Sequence, residues 1–267
     1  MTKPPPKLLV FDVPTRVFHW FFAIGFSVSF YLADQVDSES TFFYYHMLIG
    51  LTLCLSVVLR IVWGIWGTKY AKFDSFKLNP QSLISYFKDM PQNKGTFEAG
   101  HNPASSWATV GFLGLTLALA STGILMSLGY KEQLEDIHSI FANTFFVLAL
   151  LHISGVMLHS FQTKTRLFSS MVSGYKEMGT HGSSSPLAAP SSEPREQVRR
   201  LDELSPLENE GLTSTYPKLG ILFLVFMFLC LGSLFKHFDS ERKVLTLFGY
   251  ELVFADGDDK EYEESEE

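Results

Sequence analysis

The chain has 267 residues, 46% of them hydrophobic, a mean hydropathy of +0.14 and a formal net charge of −7. Those averages suit an ordinary soluble protein, yet the apolar residues stand in blocks, and 25 phenylalanines fit large side chains that face lipid. The acidic residues gather in the C-terminal ADGDDKEYEESEE, so the net charge describes a tail and a nucleic-acid partner is not expected.

Five blocks reach or approach the roughly 20 helical residues that cross a bilayer: Arg16–Ala33, Tyr44–Trp66, Trp107–Leu128, Ile137–Phe161 and Leu219–Phe235. The last is the shortest, and a buried amphipathic segment is its alternative. MTKPPPKLLVFD, which precedes the first block, has no apolar run with a small-residue cleavage site, so the first span is expected to be retained as its own insertion signal. Lys3, Lys7 and Arg16 flank the first span, and Lys69, Lys72, Lys77, Lys88 and Lys94 fill the second-to-third loop. DQVDSES, between the first two spans, has neither Lys nor Arg, which predicts a cytoplasmic N-terminus. Trp20, Trp63, Trp66 and Trp107 fall at the span ends that this topology places on the cytoplasmic side, as an aromatic belt does.

Beyond the fourth block, a Ser-, Pro- and Glu-rich stretch with His181 reads as a flexible linker. The expected organisation is a transmembrane core over residues 1–178, a linker over 179–216, a fifth helix over 217–236 and an acidic tail over 237–267. Cys54 and Cys230 each sit inside a span, where a thiol packs as a small apolar group. No CxxCH or CxxC occurs, which excludes covalent c-type haem and CxxC zinc or iron–sulfur sites.

The histidines carry the chemistry. An ionisable side chain in a membrane span is costly and faces a partner inside the protein. His138 and His152 lie 14 residues apart, a spacing that returns a helical side chain to within about 40° of the same face after about 21 Å of rise. His19 lies just inside the start of the first span and His46 just inside the start of the second, which runs the opposite way. Sorted by depth, the four form two pairs, His46 with His138 near the outer face and His19 with His152 near the inner. Haem, a flat apolar ring whose iron takes an imidazole on each face, fits such pairs between helices; zinc would ask for a third or fourth ligand at each depth. Gly50 and Gly155 are expected either to leave room for porphyrin edges or to permit close helix packing.

The segments FDVPTRVFHW, RIVWGIWGTKYAKFDSF, GHNPASS and HISGVMLHSF…RLFSSMVSGYKEM resemble the bacterial di-haem cytochrome b561 superfamily, which includes the b-type cytochrome subunits of nickel–iron hydrogenases. The resemblance covers Lys7 to Met178. It implies an all-α, integral membrane four-helix bundle holding two b haems, with the fifth C-terminal helix as an addition. Carried over, the ligands of two non-covalent b haems fall on His19, His46, His138 and His152. Ser105 stands where the resemblance leads one to expect Gly, and His159 where a small residue is usual; His159 either competes for the inner haem or lies at surface level.

Haem propionates need cationic or hydrogen-bonding partners. Arg16, three residues before His19, is either such a partner or a positive-inside flank, and Arg60 lies deeper, where a charge is harder to explain otherwise. His101 and Asn102 either line a quinone or propionate site or cap the third helix. The expected role is electron transfer between membrane quinone and a redox partner such as a c-type cytochrome, a dehydrogenase or a hydrogenase. The chain would sit in the bacterial inner membrane as an electron-transfer subunit, with a homo-oligomer left open. The alternatives are a stand-alone quinone reductase acting on a small oxidant or superoxide, and a transporter or passive anchor. An outward-facing acidic tail would steer a cationic c-type cytochrome, against which Lys236, Arg242 and Lys243 argue through the positive-inside rule.

Overall fold

The computed structural model describes residues 7–37, 40, 42–89, 100–163, 165–177, 211–239, 242–247 and 249–253. Most of the expected linker, with His181, and the acidic end of the tail lie outside the described residues. The elements are β1 (Lys7–Leu9), α1 (Val13–Gln35), α2 (Phe43–Trp66), α3 (Pro80–Asp89), α4 (Pro103–Leu125), α5 (Lys131–Thr163), α6 (Leu167–Ser173), β2 (Tyr175–Glu177), α7 (Pro217–His237), β3 (Phe238–Asp239), β4 (Val244–Leu247) and β5 (Tyr250–Val253). The class is all-α, and the helices long and apolar enough to cross a membrane are α1, α2, the run Pro103–Gln162 and α7. That run is two spans, because Gly129 in the π-helical turn Met126–Tyr130 has φ 103°, which breaks the helix between α4 and α5.

Helix starts follow an Asx–proline pattern. Asp12 Oδ1 accepts the Thr15 amide at 2.8 Å ahead of Pro14, Asn79 Oδ1 accepts that of Gln81 at 2.8 Å ahead of Pro80, and Asn102 Oδ1 accepts that of Ser105 at 2.7 Å ahead of Pro103. The side-chain oxygen satisfies a free amide of the first turn, and proline gives up only an amide that had no partner. α5, with 33 residues, is about 50 Å long, so its ends outrun a hydrocarbon layer of about 30 Å. α7 has 21 residues and is about 31 Å long, enough to span. Its Ile221, Leu222, Phe228 and Leu229 are each more than 60% exposed, an apolar face that lipid would cover.

The chain forms two compact units, and each takes a part of all five long helices. The first comprises residues 1–20, 58–114 and 145–224. In it β1 pairs antiparallel with β2, Lys7 opposite Glu177 and Leu9 opposite Tyr175, and Lys7 and Glu177 approach to 3.5 Å. Gly174, at φ 86°, ends α6 and accepts from the amides of Val10 and Phe11 at 2.9 and 3.1 Å. A Cβ there would stand 2.7 Å from the Phe11 carbonyl oxygen, so only glycine serves. Leu8, Val10, Phe11 and Tyr70 form the core, with Met171 and Leu212 against it. The last residues of the expected linker are tied in: the Leu212 amide donates to Leu9 O at 2.9 Å, and the Val13 amide to Thr215 O at 2.8 Å.

The second unit comprises residues 21–57, 115–144 and 225–267. Here part of what the sequence reads as an acidic tail is a small antiparallel sheet, β3-β4-β5, with Leu245 opposite Leu252 and Leu247 opposite Tyr250. Strands of four residues alternate too briefly to stand out beside a long acidic run. Leu245 and Leu252 are buried with Leu48 of α2, and Leu51, Ile124, Leu231 and Leu234 pack against them.

Candidate functional site

In the second unit, His46 of α2 and His138 of α5 face one another with ring centroids 6.3 Å apart and planes at 77°. Two imidazoles bound to one metal from opposite sides, through bonds of about 2 Å, have centres roughly 6 Å apart. Each ring is held by its Nδ1 edge. His46 Nδ1 donates to the Ser29 backbone carbonyl at 2.8 Å, and the Ser29 hydroxyl lies 3.0 Å away. His138 Nδ1 lies 2.7 Å from the Thr122 hydroxyl oxygen, whose own proton goes to Ala118 O at 2.9 Å. The Thr122 oxygen is therefore the acceptor, and both rings keep Nε2 as the basic nitrogen. The pair lines a cavity of about 540 Å³ together with Phe22, Phe26, Gly50 and Leu252. A Cβ built on Gly50 meets nothing within 4 Å, nor does one on Gly155, so both glycines border space rather than a packed helix.

The first unit holds His19 of α1 and His152 of α5. His152 lies near enough to both His19 and His101 to influence their charge. His19 packs edge-on to Trp20 at 5.3 Å and His152 edge-on to Phe112 at 5.8 Å. His19 Nδ1 is buried with no hydrogen-bond partner among the described residues. Arg60, 4% exposed, donates through one guanidinium nitrogen to Ala71 O at 3.1 Å and stacks on Phe73 at 5.7 Å, while its other terminal nitrogen is buried without a partner among the described residues. A buried cation with a free donor suits an anionic oxygen, such as that of a haem propionate. Arg16 instead donates to the backbone carbonyls of Asp12 and Val172.

Asp12 is a buried carboxylate, 1% exposed, that the sequence reading passed over. Besides capping α1, it accepts from Trp63 Nε1 at 3.0 Å and from the Thr68 hydroxyl at 2.6 Å. Trp63 thus has a defined partner beyond any belt role, as does Trp20, which donates to Met171 O at 2.9 Å. The position of Asp12, immediately before Val-Pro at a helix start, was the available signal. Asn102 is a helix cap. Its amide nitrogen also donates to the Tyr86 hydroxyl at 3.0 Å, which lies 3.2 Å from His159 Nδ1. His159 and Tyr86 stack at 6.3 Å, so this histidine has a partner of its own. His101 is buried between Phe11 and Phe76, with Nε2 lacking a partner among the described residues. Burial, reinforced by the Arg60 and Lys176 cations, pushes its imidazole down to about 3, which keeps it neutral at ordinary pH.

Among the described residues no group of three or more His, Cys, Asp or Glu side chains converges. His46 and His138 thus stand as a pair of imidazoles, the kind of ligand set a b-type haem takes. The family model of prokaryotic cytochrome b561 matches residues 10–174, more than half of the chain, a range within which His19, His46, His138 and His152 all lie. The chain belongs to the prokaryotic cytochrome b561 family. No curated protein and no solved structure matches it. Membership makes it a multi-pass membrane b-type cytochrome that binds haem b and works in electron transfer. The match ends before α7, so the fifth helix and β3–β5 lie outside the family core of this cytochrome.

The residues fit that cofactor. At His46 and His138 the fit rests on the ring separation, their tethered Nδ1 edges and the space beside Gly50; in the first unit it rests on the buried Arg60 nitrogen with no partner among the described residues.

Proposed function

We propose that this cytochrome carries two non-covalent b haems, one held by His46 and His138 and the other by His19 and His152. It would pass electrons between membrane quinone and a redox protein, such as a c-type cytochrome or a hydrogenase. The observation that carries the reading is the facing pair His46 and His138 at 6.3 Å, each ring tethered through Nδ1. In the bacterial inner membrane with a cytoplasmic N-terminus, as the loop lysines favour, the His19 and His152 pair would lie toward the cytoplasm.

Haem iron supplies reversible one-electron transfer when bound. The protein's part is to hold the rings and manage charge. Ser29 and Thr122 orient the His46 and His138 imidazoles, and the Phe22, Phe26 and Leu252 side chains keep that pocket apolar. In the first unit Arg60 offers its unpartnered nitrogen to a propionate oxygen, with Asp12 offsetting part of the buried positive charge. Arg16, bound to two carbonyls, adds positive charge at the start of α1.

The test is anaerobic addition of quinol to the purified protein, followed by an oxidised c-type cytochrome. Reduction of the haem absorbance by quinol and its reoxidation by the cytochrome are expected. Quinol that leaves the spectrum oxidised would contradict the quinone role. Turnover with superoxide or another small oxidant alone would favour the stand-alone reductase.

A further inference from the structure

His19 differs from His46 and His138 at Nδ1. His138 Nδ1 lies 2.7 Å from the Thr122 hydroxyl oxygen, with the Leu119 carbonyl as a further acceptor for the ring, and His46 Nδ1 donates to a carbonyl at 2.8 Å. Both acceptors are buried: Ser29 is 5% and Thr122 8% exposed. Thr122 is also locked in role, because its proton is committed to Ala118 O at 2.9 Å, with Leu119 O at 3.1 Å. It cannot turn to donate to the imidazole without giving up those contacts. In the first unit the corresponding atom of His19 is buried without a partner among the described residues.

An imidazole that gives its Nδ1 proton to an acceptor becomes more basic at Nε2. A more basic ligand stabilises ferric over ferrous iron, so second-shell hydrogen bonding lowers the reduction potential. We propose that Thr122, acting through His138 together with the Ser29 carbonyl on His46, makes the haem of the His46–His138 site the lower-potential centre. The His19–His152 haem is then the higher-potential one, and an electron that enters at the first of these sites runs downhill to the second. Thr122 is a positioning residue, since it touches the ligand and not the haem.

This inference rests on the two-haem reading, and the experiment separates their failures. Purified full-length protein is titrated potentiometrically while the haem absorbance is followed, for the unaltered chain, Thr122→Val, Thr122→Ala and Thr122→Ser. The unaltered chain is expected to show two components. Thr122→Val, close to isosteric, raises the lower one by about tenfold in its one-electron equilibrium, equal to about 59 mV, and leaves the upper one in place. Thr122→Ala gives the same shift without a methyl group beside the ring, and Thr122→Ser restores the original value. A single component in the unaltered chain overturns the inference when two haems per chain are extracted, and defeats the two-haem reading when only one is. Two components of which Thr122→Val and Thr122→Ala move the upper one, both, or neither overturn the assignment, as does a Ser variant that behaves like Val.

Discussion

The first unit surrounds its histidine pair with buried charge, whereas in the second the pair lines a mainly apolar cavity whose carboxylates, Asp34 and Glu135, are not buried. Asp12, Arg60 and His101 are all under 10% exposed in the first, and loops, β1–β2 and α6 build the frame that satisfies them. In the second, no charged side chain is among the buried described residues, and the pocket is finished by a sheet that the family core does not contain. Two sites of one ligand type thus differ in environment, which is how a protein separates two otherwise similar centres.

The largest expected effects break this comparison at the ligands. His46→Ala and His138→Ala should each remove or convert the same component of a redox titration, about half of the reduced haem absorbance, while His19→Ala and His152→Ala remove the other. His159→Ala should spare both, because its ring is engaged with Tyr86. Loss of the same component in His46→Ala and His152→Ala would undo the pairing.

Asp12→Ala comes next. It strands one buried donor, from Thr15, and two part-buried ones, from Trp63 and Thr68, at about 1–3 kcal/mol each. A loss of at least about 3 kcal/mol is expected, read as a lower thermal midpoint, with the His19–His152 haem released first on heating. Release of both haems together would show that the network does not belong to one site.

Leu252→Ala tests the opposite pocket. Truncating a buried leucine costs about 2–5 kcal/mol when neighbours do not collapse, toward the lower end here because Leu252 borders an existing cavity. The His46–His138 haem should be lost more readily to an apo-haem acceptor, with the other retained at the normal rate.

The smallest effect is on pH. His101 in the folded chain stays neutral until pH nears about 3, whereas unfolded it takes up a proton near 6.5. The unfolded state therefore binds more protons between those values, so the His101 contribution is complete above about pH 6.5 and declines as pH falls toward 3. His101→Phe, which keeps the ring stack with Phe11 and Phe76, should flatten that part of the stability profile. An unchanged slope would mean that other groups set it.

What was legible in the sequence was whatever a single helix encodes. Histidines in apolar spans, 14 residues apart on one helix, sort by depth, and the structure does bring the His46 and His138 rings to within 6.3 Å of one another. The all-helical class and the five long helices follow from apolar blocks of sufficient length, with ends that shift by up to six residues where Asx–proline caps and the kink at Gly129 set them. Ser29 and Thr122 were not legible, because each lies on a different helix from the histidine it serves and a hydroxyl inside a span has no distinctive pattern. The role of Asp12 was not legible because its partners Trp63 and Thr68 lie more than 50 residues away. The sheet of β3–β5 was hidden by its brevity and by the acidic run after it. Arg60 was flagged by depth alone, and the structure adds a buried nitrogen without a partner.

The most direct measurement of the central claim is haem stoichiometry. Acid acetone extraction of the purified protein, followed by a pyridine haemochrome assay, should release haem b at about two per chain, matching two bis-histidine sites with no CxxCH to hold either covalently. A ratio near one, or haem that stays with the polypeptide, would contradict the account.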